Sequence, residues 1–220
     1  MGFLTERDRR DVRTYLNSMS EPVELLIFTS ETNCQYCQDT KMLLDELSML
    51  SEKISLKAFE MERDHDIAGQ YKIDKAPGIV IKGDYDYGIR YYGIPSGYEF
   101  NSLIEDILDI SSQNHGFSEE QLEKIARINS PVHLQVFVTP ACPYCPVAVR
   151  SAHRMAMVNE FITADMIEAT EFPELTQKYH VRGVPRTMVN EDFNIDGGLP
   201  EDAFIHQILE HLDNRPRASA

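Results

Sequence analysis

The stretch Val138-Thr139-Pro140-Ala141-Cys142-Pro143-Tyr144-Cys145-Pro146 is the strongest indication of the fold, because it joins an apolar run to two cysteines spaced as Cys-x-x-Cys. A second pair lies at Cys34-Gln35-Tyr36-Cys37, and the two pairs account for all four cysteines of the chain. A disulfide across such a short loop stabilises a fold by only about 2 kcal/mol, against nearly 5 kcal/mol for a loop of order 100 residues. Paired thiols of this kind are therefore poor structural staples, and in an intracellular protein they are more often catalytic or metal-binding.

The chain repeats itself with an offset of 108 residues, which lays the first cysteine pair on the second. The same offset aligns four positions further along the chain: Tyr71 with Tyr179, Ile73 with Val181, Ala76 with Val184, and Pro77 with Pro185. Gly93-Ile94-Pro95 aligns with Gly198-Leu199-Pro200 at an offset of 105. The chain is therefore a duplication, and we predict one unit over residues 1–114 and a second over residues 115–220.

Each copy has the same predicted order of elements. A helix, Thr5–Met19 in the first copy and beginning at Ser118 in the second, precedes an apolar strand that ends just before the cysteines. These strands are predicted at Val23–Thr29 and Val132–Thr139. A helix follows each motif, and after it come a short strand, another helix, a residue–Pro step, two strands and a final helix. The short strands are predicted at Ile54–Phe59 and Asp165–Ala169, the linker at Ser111–Phe117, and a disordered tail after Asn214.

Strands that alternate with helices predict an α/β fold of two tandem units, each a central, mostly parallel mixed β-sheet flanked by helices. A Cys-x-x-Cys pair between a strand and a helix is the thioredoxin-like arrangement. The turn from strand to helix leaves free backbone N–H groups and the positive end of the helix dipole beside the first cysteine, which favours its thiolate. The second sulfur lies over the same helical face and can attack the mixed disulfide.

We therefore predict Cys34 and Cys142 as the nucleophiles and Cys37 and Cys145 as the resolving cysteines. Pro143 is expected in the first turn of the second motif helix, where it stiffens the ring that holds both sulfurs. The first motif lacks this proline, so we expect the two sites to differ in reduction potential.

Four segments resemble the protein disulfide oxidoreductases, two-unit glutaredoxin-like proteins of heat-loving microbes: Val138–Pro146, Cys34–Cys37, Tyr71–Pro77 and Arg90–Pro95. The resemblance covers nearly the whole chain. It implies reduction and oxidation of protein disulfides, with isomerisation as a further activity. It also implies no bound cofactor beyond the redox-active disulfides, and recharging by a thioredoxin-reductase-type flavoprotein. Pro77 and Pro185 are implied to be cis, to face the sulfurs and to shape the substrate groove.

Further residues of the groove follow from these positions. Tyr36 and Tyr144 lie between the cysteines and are predicted to shape the contact with the partner protein. Ala76 and Val184, which precede the two prolines, are predicted to offer backbone hydrogen bonds to an extended substrate segment.

The proton acceptor for the resolving cysteines is not identified by the motifs. Thioredoxins carry a tryptophan before the first cysteine and a buried aspartate six residues upstream of it, and this chain has neither. Glu60 and Glu168, on the strand after each motif helix, are candidates, although a solvated or structural carboxylate explains them as well. His153 and Arg154 are expected on a solvated helix face, without a role.

Composition limits the partners and the location. A net charge of −15 disfavours nucleic-acid binding, and no apolar run is long enough to span a bilayer. The first twenty residues are too charged for a signal peptide, so we expect a cytoplasmic protein and no membrane partner. The alternatives are a dedicated electron donor to a peroxidase, a four-thiolate zinc site shared by both pairs, and a bridging iron–sulfur cluster. We predict no metal, because each pair lies at its own strand–helix junction.

Overall fold

The computed structural model describes residues 2–32 and 34–214, so the predicted tail after Asn214 lies outside the described residues. The first unit comprises, in chain order, α1 (Glu6–Leu16), β1 (Val23–Thr29), α2 (Cys37–Ser48), β2 (Ile54–Glu60), α3 (His65–Gln70), β3 (Gly78–Lys82), β4 (Asp86–Tyr92) and α4 (Tyr98–Ser112). The second comprises α5 (Glu119–Ile125), β5 (Val132–Val138), α6 (Cys145–Val158), β6 (Ile162–Glu168), α7 (Pro173–Lys178), β7 (Arg186–Val189), β8 (Phe193–Asp196) and α8 (Glu201–Asn214). The order of elements is the predicted one in both copies. The division into units at residues 114 and 115 stays a prediction.

The first helix of each unit begins where its capping residue predicts. Thr5 and Asp8 form a reciprocal capping box on α1, and Ser118 and Gln121 form the same motif on α5. The α1 helix ends earlier than predicted, and Met19 beyond it is nevertheless buried. These caps satisfy backbone N–H groups at both helix starts.

The two units share one sheet, which runs β2-β1-β3-β4-β6-β5-β7-β8. Its central join is the parallel pairing of β4 with β6, from Ile89 opposite Ala164 to Tyr92 opposite Ile167. From the sequence, we expected a separate sheet in each unit and did not expect the pairing of β4 with β6. The join is favoured because β4 and β6 would otherwise be exposed sheet edges. The β6 strand begins at Ile162, earlier than predicted, because Ile162 pairs with the first residue of β5.

Both cysteine pairs lie at the same edge of this sheet. The strands β1, β4, β6 and β5 all run in one direction, so the loops that carry the cysteines leave the sheet at a common edge. Four strand-to-strand intervals separate β1 from β5, which amounts to roughly 19 Å. This separation is too large for four cysteines to share one zinc ion at Zn–S distances of about 2.3 Å.

Side chains from the two faces of the sheet form two cores. Leu25 and Ile27 of β1 belong to the larger core, which also contains residues of α1, α2, α4, α5, α6 and α8. Leu26 and Phe28 point to the opposite face, where the smaller core contains residues near α3 and α7. The alternation follows from the period of two along a strand. It leaves the helices that follow both cysteine motifs on one face.

A buried charged cluster joins α4 of the first unit to α6 of the second. Asp106 is fully buried and accepts a short hydrogen bond from the Tyr91 hydroxyl. Its carboxylate also forms a short ion pair with Arg150 and lies 2.6 Å from Nδ1 of His153. All four side chains are buried, so these contacts replace part of the hydration that the side chains lose on folding.

The expectation that His153 and Arg154 lie on a solvated face is therefore wrong. The β4–β6 join brings α4 over this face, and His153 is completely buried. Burial lowers the pKa of His153 to about 3, with the charge of Arg150 adding to the effect, so its ring is neutral at neutral pH. The Arg154 guanidinium donates to Asp109 at 2.8 Å. The face looked solvated because the sequence does not show which helix covers it.

We predict that Asp106→Ala destabilises the protein by about 3–5 kcal/mol, because it removes the fully buried carboxylate beside Arg150 and leaves Tyr91 and His153 without their buried partner. Urea titration of the unfolding free energy measures this loss. The matched control is Glu105→Ala, which also removes a carboxylate bonded to Arg150 but one that is 58% exposed. We expect it to cost at most about 1 kcal/mol. Equal losses in the two variants would contradict the role of Asp106.

Candidate active site

Both cysteine pairs lie where a strand ends and a helix begins. The α2 helix begins at Cys37 and the α6 helix at Cys145, so Cys34 and Cys142 precede the helix starts. Each pair forms a disulfide with a Cα–Cα distance of 5.5 Å. Neither helix start has a hydrogen bond from a capping side chain. The backbone N–H groups at the start of each helix, and the positive end of each helix dipole, therefore remain available to stabilise a thiolate.

The two sulfurs of each pair differ in exposure. Cys34 is half-buried and Cys142 is 8% exposed, whereas Cys37 is more deeply buried and Cys145 is completely buried. A partner disulfide can therefore approach the first cysteine of each pair more easily than the second. This order is the one expected of a nucleophilic first cysteine, and the division into nucleophilic and resolving cysteines stays a prediction.

The helix after the second motif begins later than predicted. Pro143 lies before the first residue of α6, and the proline of the first helical turn is Pro146. Pro146 has a φ angle suited to this position and its missing N–H is not needed there. The prediction that Pro143 occupies the first turn is therefore wrong, because the Cys-x-x-Cys spacing does not reveal which of its residues begins the helix.

The two predicted groove prolines lie at the edge of the sheet from which the cysteine-bearing loops leave. The Ala76–Pro77 and Val184–Pro185 peptide bonds are cis, and both prolines are buried. They precede β3 and β7, which pair with the strands that lead to the cysteines. The Val184 carbonyl oxygen lies 3.7 Å from Sγ of Cys142.

The aromatic residues between the cysteines differ in exposure. Tyr144 is 69% exposed, whereas Tyr36 is half-buried. The loop before α8 approaches the second motif closely, since a Cβ atom on Gly198 would lie 2.6 Å from the Tyr144 carbonyl oxygen. Glycine is therefore required there, and the Tyr144 side chain remains exposed to a partner.

The first unit supports the motif loop of the second. The Tyr98 backbone N–H, at the start of α4, donates to the Pro140 carbonyl oxygen at 3.0 Å. Gly97 has a φ of 61° and touches the same carbonyl so closely that any side chain would clash. A turn of the first unit thus supports the loop that carries the second cysteine motif.

Glu99 is a candidate proton acceptor that the motifs did not reveal. It lies in the first turn of α4 and is buried. Burial raises the pKa of Glu99 to about 7, against the smaller, opposite effect of the neighbouring Ser102 hydroxyl, which lowers the pKa. No local pattern distinguishes this glutamate from an ordinary helix-start carboxylate, because its burial depends on the other unit.

The packing of α4 against α6 brings Glu99 near the second motif. The pairs Glu105–Arg150 and Asp109–Arg154 are each separated by 45 residues, which shows that the two helices run side by side in the same direction. The same separation puts Glu99 level with Tyr144, the residue before Cys145.

The two carboxylates suggested by the sequence have other contacts. One oxygen of the buried Glu168 accepts hydrogen bonds from the Thr170 hydroxyl at 2.6 Å and from the Glu171 N–H at 2.8 Å. Glu60 is partly exposed and lies 3.3 Å from Arg63. Glu168 therefore orders the turn after β6, and Glu60 is a surface carboxylate.

Metal and membrane features are absent from the described part of the chain. Over residues 2–32 and 34–214, no group of three or more histidine, cysteine, aspartate or glutamate side chains is arranged to hold a metal ion. Within the same ranges, no helix has both the length and the apolar character needed to cross a bilayer.

Comparisons with known proteins agree with this geometry. Residues 132–210 match the family model of a thioredoxin domain. The structure is similar to a protein disulfide oxidoreductase from Aeropyrum pernix K1, with a TM-score of 0.89 and 29% identity, covering 97% of this chain and 96% of that one. It is also similar to the NTD_N/C domain of the alkyl hydroperoxide reductase AhpF from Enterococcus faecalis, with a TM-score of 0.87 and 24% identity, covering 94% and 100%. The latter likeness shows the fold alone.

Among curated proteins, a component of alkyl hydroperoxide reductase from Staphylococcus aureus is 28% identical over 182 residues, which cover 83% of this chain and 32% of that protein. The chain spans about a third of the length of the curated relatives it matches. Both structural matches extend over the two units and their shared sheet. The chain therefore has the fold of two thioredoxin-like units in tandem, with one Cys-x-x-Cys disulfide in each.

Proposed function

We propose that the chain is a dithiol–disulfide oxidoreductase that reduces and oxidises protein disulfides, with isomerisation as a further activity. The observation that carries this proposal is the position of each disulfide at an uncapped helix start, with its first cysteine the more accessible. In the reductive direction, the Cys142 thiolate attacks a substrate disulfide and releases one substrate thiolate. Cys145 then attacks the mixed disulfide, forms the Cys142–Cys145 bond and releases the second substrate thiol. Two electrons pass to the substrate in each cycle.

The substrate groove in this proposal includes the cis-proline segments and the motif tyrosines. At the second site, Val184 offers its backbone to an extended substrate segment beside Pro185, and the exposed Tyr144 contacts the same partner. At the first site, Ala76, Pro77 and Tyr36 have the corresponding roles.

The proton released by the resolving cysteine of the second site passes to Glu99 in this mechanism. A carboxyl whose pKa is near 7 is suited to accept a proton at neutral pH and to return it later. The carboxylate is preorganised because α4 is anchored to the motif loop at Pro140.

Electrons for reduction come, in this proposal, from a thioredoxin-reductase-type flavoprotein, and the protein acts in the cytoplasm on protein substrates. The resemblance to protein disulfide oxidoreductases supports the flavoprotein partner. The redox groups of the chain itself are its two disulfides.

A dedicated electron donor to a peroxidase is the second candidate function. It is favoured by the curated relatives that are named as parts of alkyl hydroperoxide reductases. The two functions differ in substrate range. A dedicated donor reduces the disulfide of its peroxidase and leaves insulin unchanged, whereas a general oxidoreductase reduces both.

We predict that Cys142→Ser lowers insulin reduction, with dithiothreitol as the electron source, at least about tenfold more than Cys34→Ser. The reason is that the second site combines an uncapped helix start with a nearby proton acceptor, which typically contributes a factor of a hundred or more. Turbidity from the released insulin B chain measures the rate. Equal losses in the two variants would contradict a dominant second site, and no reduction by the unaltered protein would favour the peroxidase donor.

We also predict that second-site turnover, measured in a Cys34→Ser/Cys37→Ser background, rises with pH through an apparent pKa near 7. The sign follows because the proton acceptor must be ionised, and Glu99 ionises as the pH rises through its pKa of about 7. Glu99→Gln should remove this rise and lower the rate at pH 8 by on the order of a hundredfold. Glu105→Gln, on the exposed side of the same helix, is the control. An unchanged pH profile in Glu99→Gln would refute the assignment.

A further inference from the structure

A shallow pocket of about 300 Å³ lies beside the disulfide of the first unit. It is bounded by the loop before Cys34, the turn after β2 and the segment before Pro77, and its lining residues are Ser30, Thr32, Met61, Glu62, Asp74, Lys75 and Ala76. The pocket borders the first site, because Ser30 contacts Sγ of Cys37 and Ala76 precedes the cis proline Pro77. The chemistry of the pocket therefore bears on which partners the first site accepts.

Ser30 connects the pocket directly to the disulfide. Its backbone N–H donates to Sγ of Cys37 at 3.3 Å, and its hydroxyl donates a short hydrogen bond to Glu62. The Thr32 hydroxyl lies 3.5 Å from the same carboxylate oxygen. The Glu62 carboxylate is thus held by the residue that contacts the resolving sulfur.

Glu62 carries a negative charge that no neighbouring cation neutralises. The Ser30 hydrogen bond lowers the pKa of Glu62, so the carboxylate is ionised at neutral pH. Its side-chain partners are hydroxyls, which supply no positive charge. No ion pair forms between Glu62 and any residue of the described ranges. The adjacent Arg63 is instead bonded to Asp64 at 3.0 Å and lies 3.3 Å from Glu60.

The lysine of the pocket is similarly engaged elsewhere. The Lys75 ammonium forms a short ion pair with Asp74 and lies 4.2 Å from the centre of the Tyr92 ring. These contacts compensate the Asp74 charge. The negative charge of Glu62 is therefore the one that stays uncompensated among the residues that line the pocket.

The second unit provides an internal comparison, because the duplication aligns its groove with this one. At the offset of 108 residues, Thr170 corresponds to Glu62 and Arg182 to Asp74. The Thr170 hydroxyl is bonded to Glu168, so it presents no carboxylate to a partner. The second site therefore has a hydroxyl and a cation where the first has two carboxylates.

We propose that Glu62 selects partners for the first site by pairing with a lysine or arginine next to the partner's reacting cysteine. This inference rests on the proposed oxidoreductase function and adds a substrate class to it. Glu62 lies on the side of the disulfide where Ser30 contacts the resolving sulfur, so its ion pair forms only once the partner is docked. Such a pair favours one partner over another and speeds the encounter. The second site lacks this carboxylate and does not share the preference, so the two sites serve different partners.

The test uses the full chain in a Cys142→Ser/Cys145→Ser background, reduced with dithiothreitol and then freed of it. Two synthetic peptides with one internal disulfide are compared, one flanked by arginines and one by glutamates, and the rate of peptide thiol formation is followed. We expect the arginine peptide to be reduced about tenfold faster at low salt. Glu62→Gln should reduce this ratio to within about twofold, and Glu62→Lys should invert it.

Three controls determine the interpretation. Glu119→Gln removes an exposed carboxylate on α5 and should leave the ratio unchanged. High salt should diminish the ratio, since it screens exposed charges. In the converse Cys34→Ser/Cys37→Ser background, the arginine peptide should have no advantage.

Two results would overturn the inference while leaving the proposed function intact. One is equal reduction of both peptides by the first site. The other is an unchanged ratio in Glu62→Gln. If the reduced first site converts neither peptide while the second site converts both, the oxidoreductase function of the first site fails, and the inference fails with it.

Discussion

The parallel pairing of β4 with β6 is the constraint on which the arrangement of both sites depends. It makes one sheet from two units and sets all the cysteine-bearing strands in the same direction. Both disulfides consequently open at one edge, and α4 of the first unit is brought against α6 of the second. The buried cluster around Asp106 then fixes these two helices, because removing one of its groups leaves buried partners without a hydrogen bond.

This arrangement makes the second site dependent on the first unit. The turn at Gly97 and Tyr98 supports the loop before Cys142, and Glu99 lies level with the start of the second motif helix. The first site has a different environment, with Ser30 and Glu62 beside its disulfide. The duplication has therefore produced two sites with different surroundings.

Local patterns predicted the elements and the cysteine motifs well. The caps at Thr5 and Ser118 and the apolar strands are determined by nearby residues, so their signals are present in the sequence itself. The internal repeat added the prolines at Pro77 and Pro185. The join between the units was not predictable, because an apolar strand has the same pattern whether its neighbour is solvent or another strand. For the same reason, His153 was wrongly expected to be solvated and Glu99 was not recognised as a proton acceptor. The burial of each residue depends on a helix from the other unit.

The proposed chemistry depends on which cysteine of each pair is the nucleophile. Trapping the mixed disulfide identifies that cysteine. In a Cys37→Ser/Cys145→Ser variant the resolving thiols are absent, so a substrate disulfide should remain bonded to the first cysteine of each pair. Mass spectrometry of the intact variant after exposure to a disulfide peptide, followed by peptide mapping, measures the adducts and their positions. We expect one adduct at Cys142 and one at Cys34, and none in the corresponding Cys34→Ser/Cys142→Ser variant. Adducts that form only when Cys37 and Cys145 are retained would contradict the assignment.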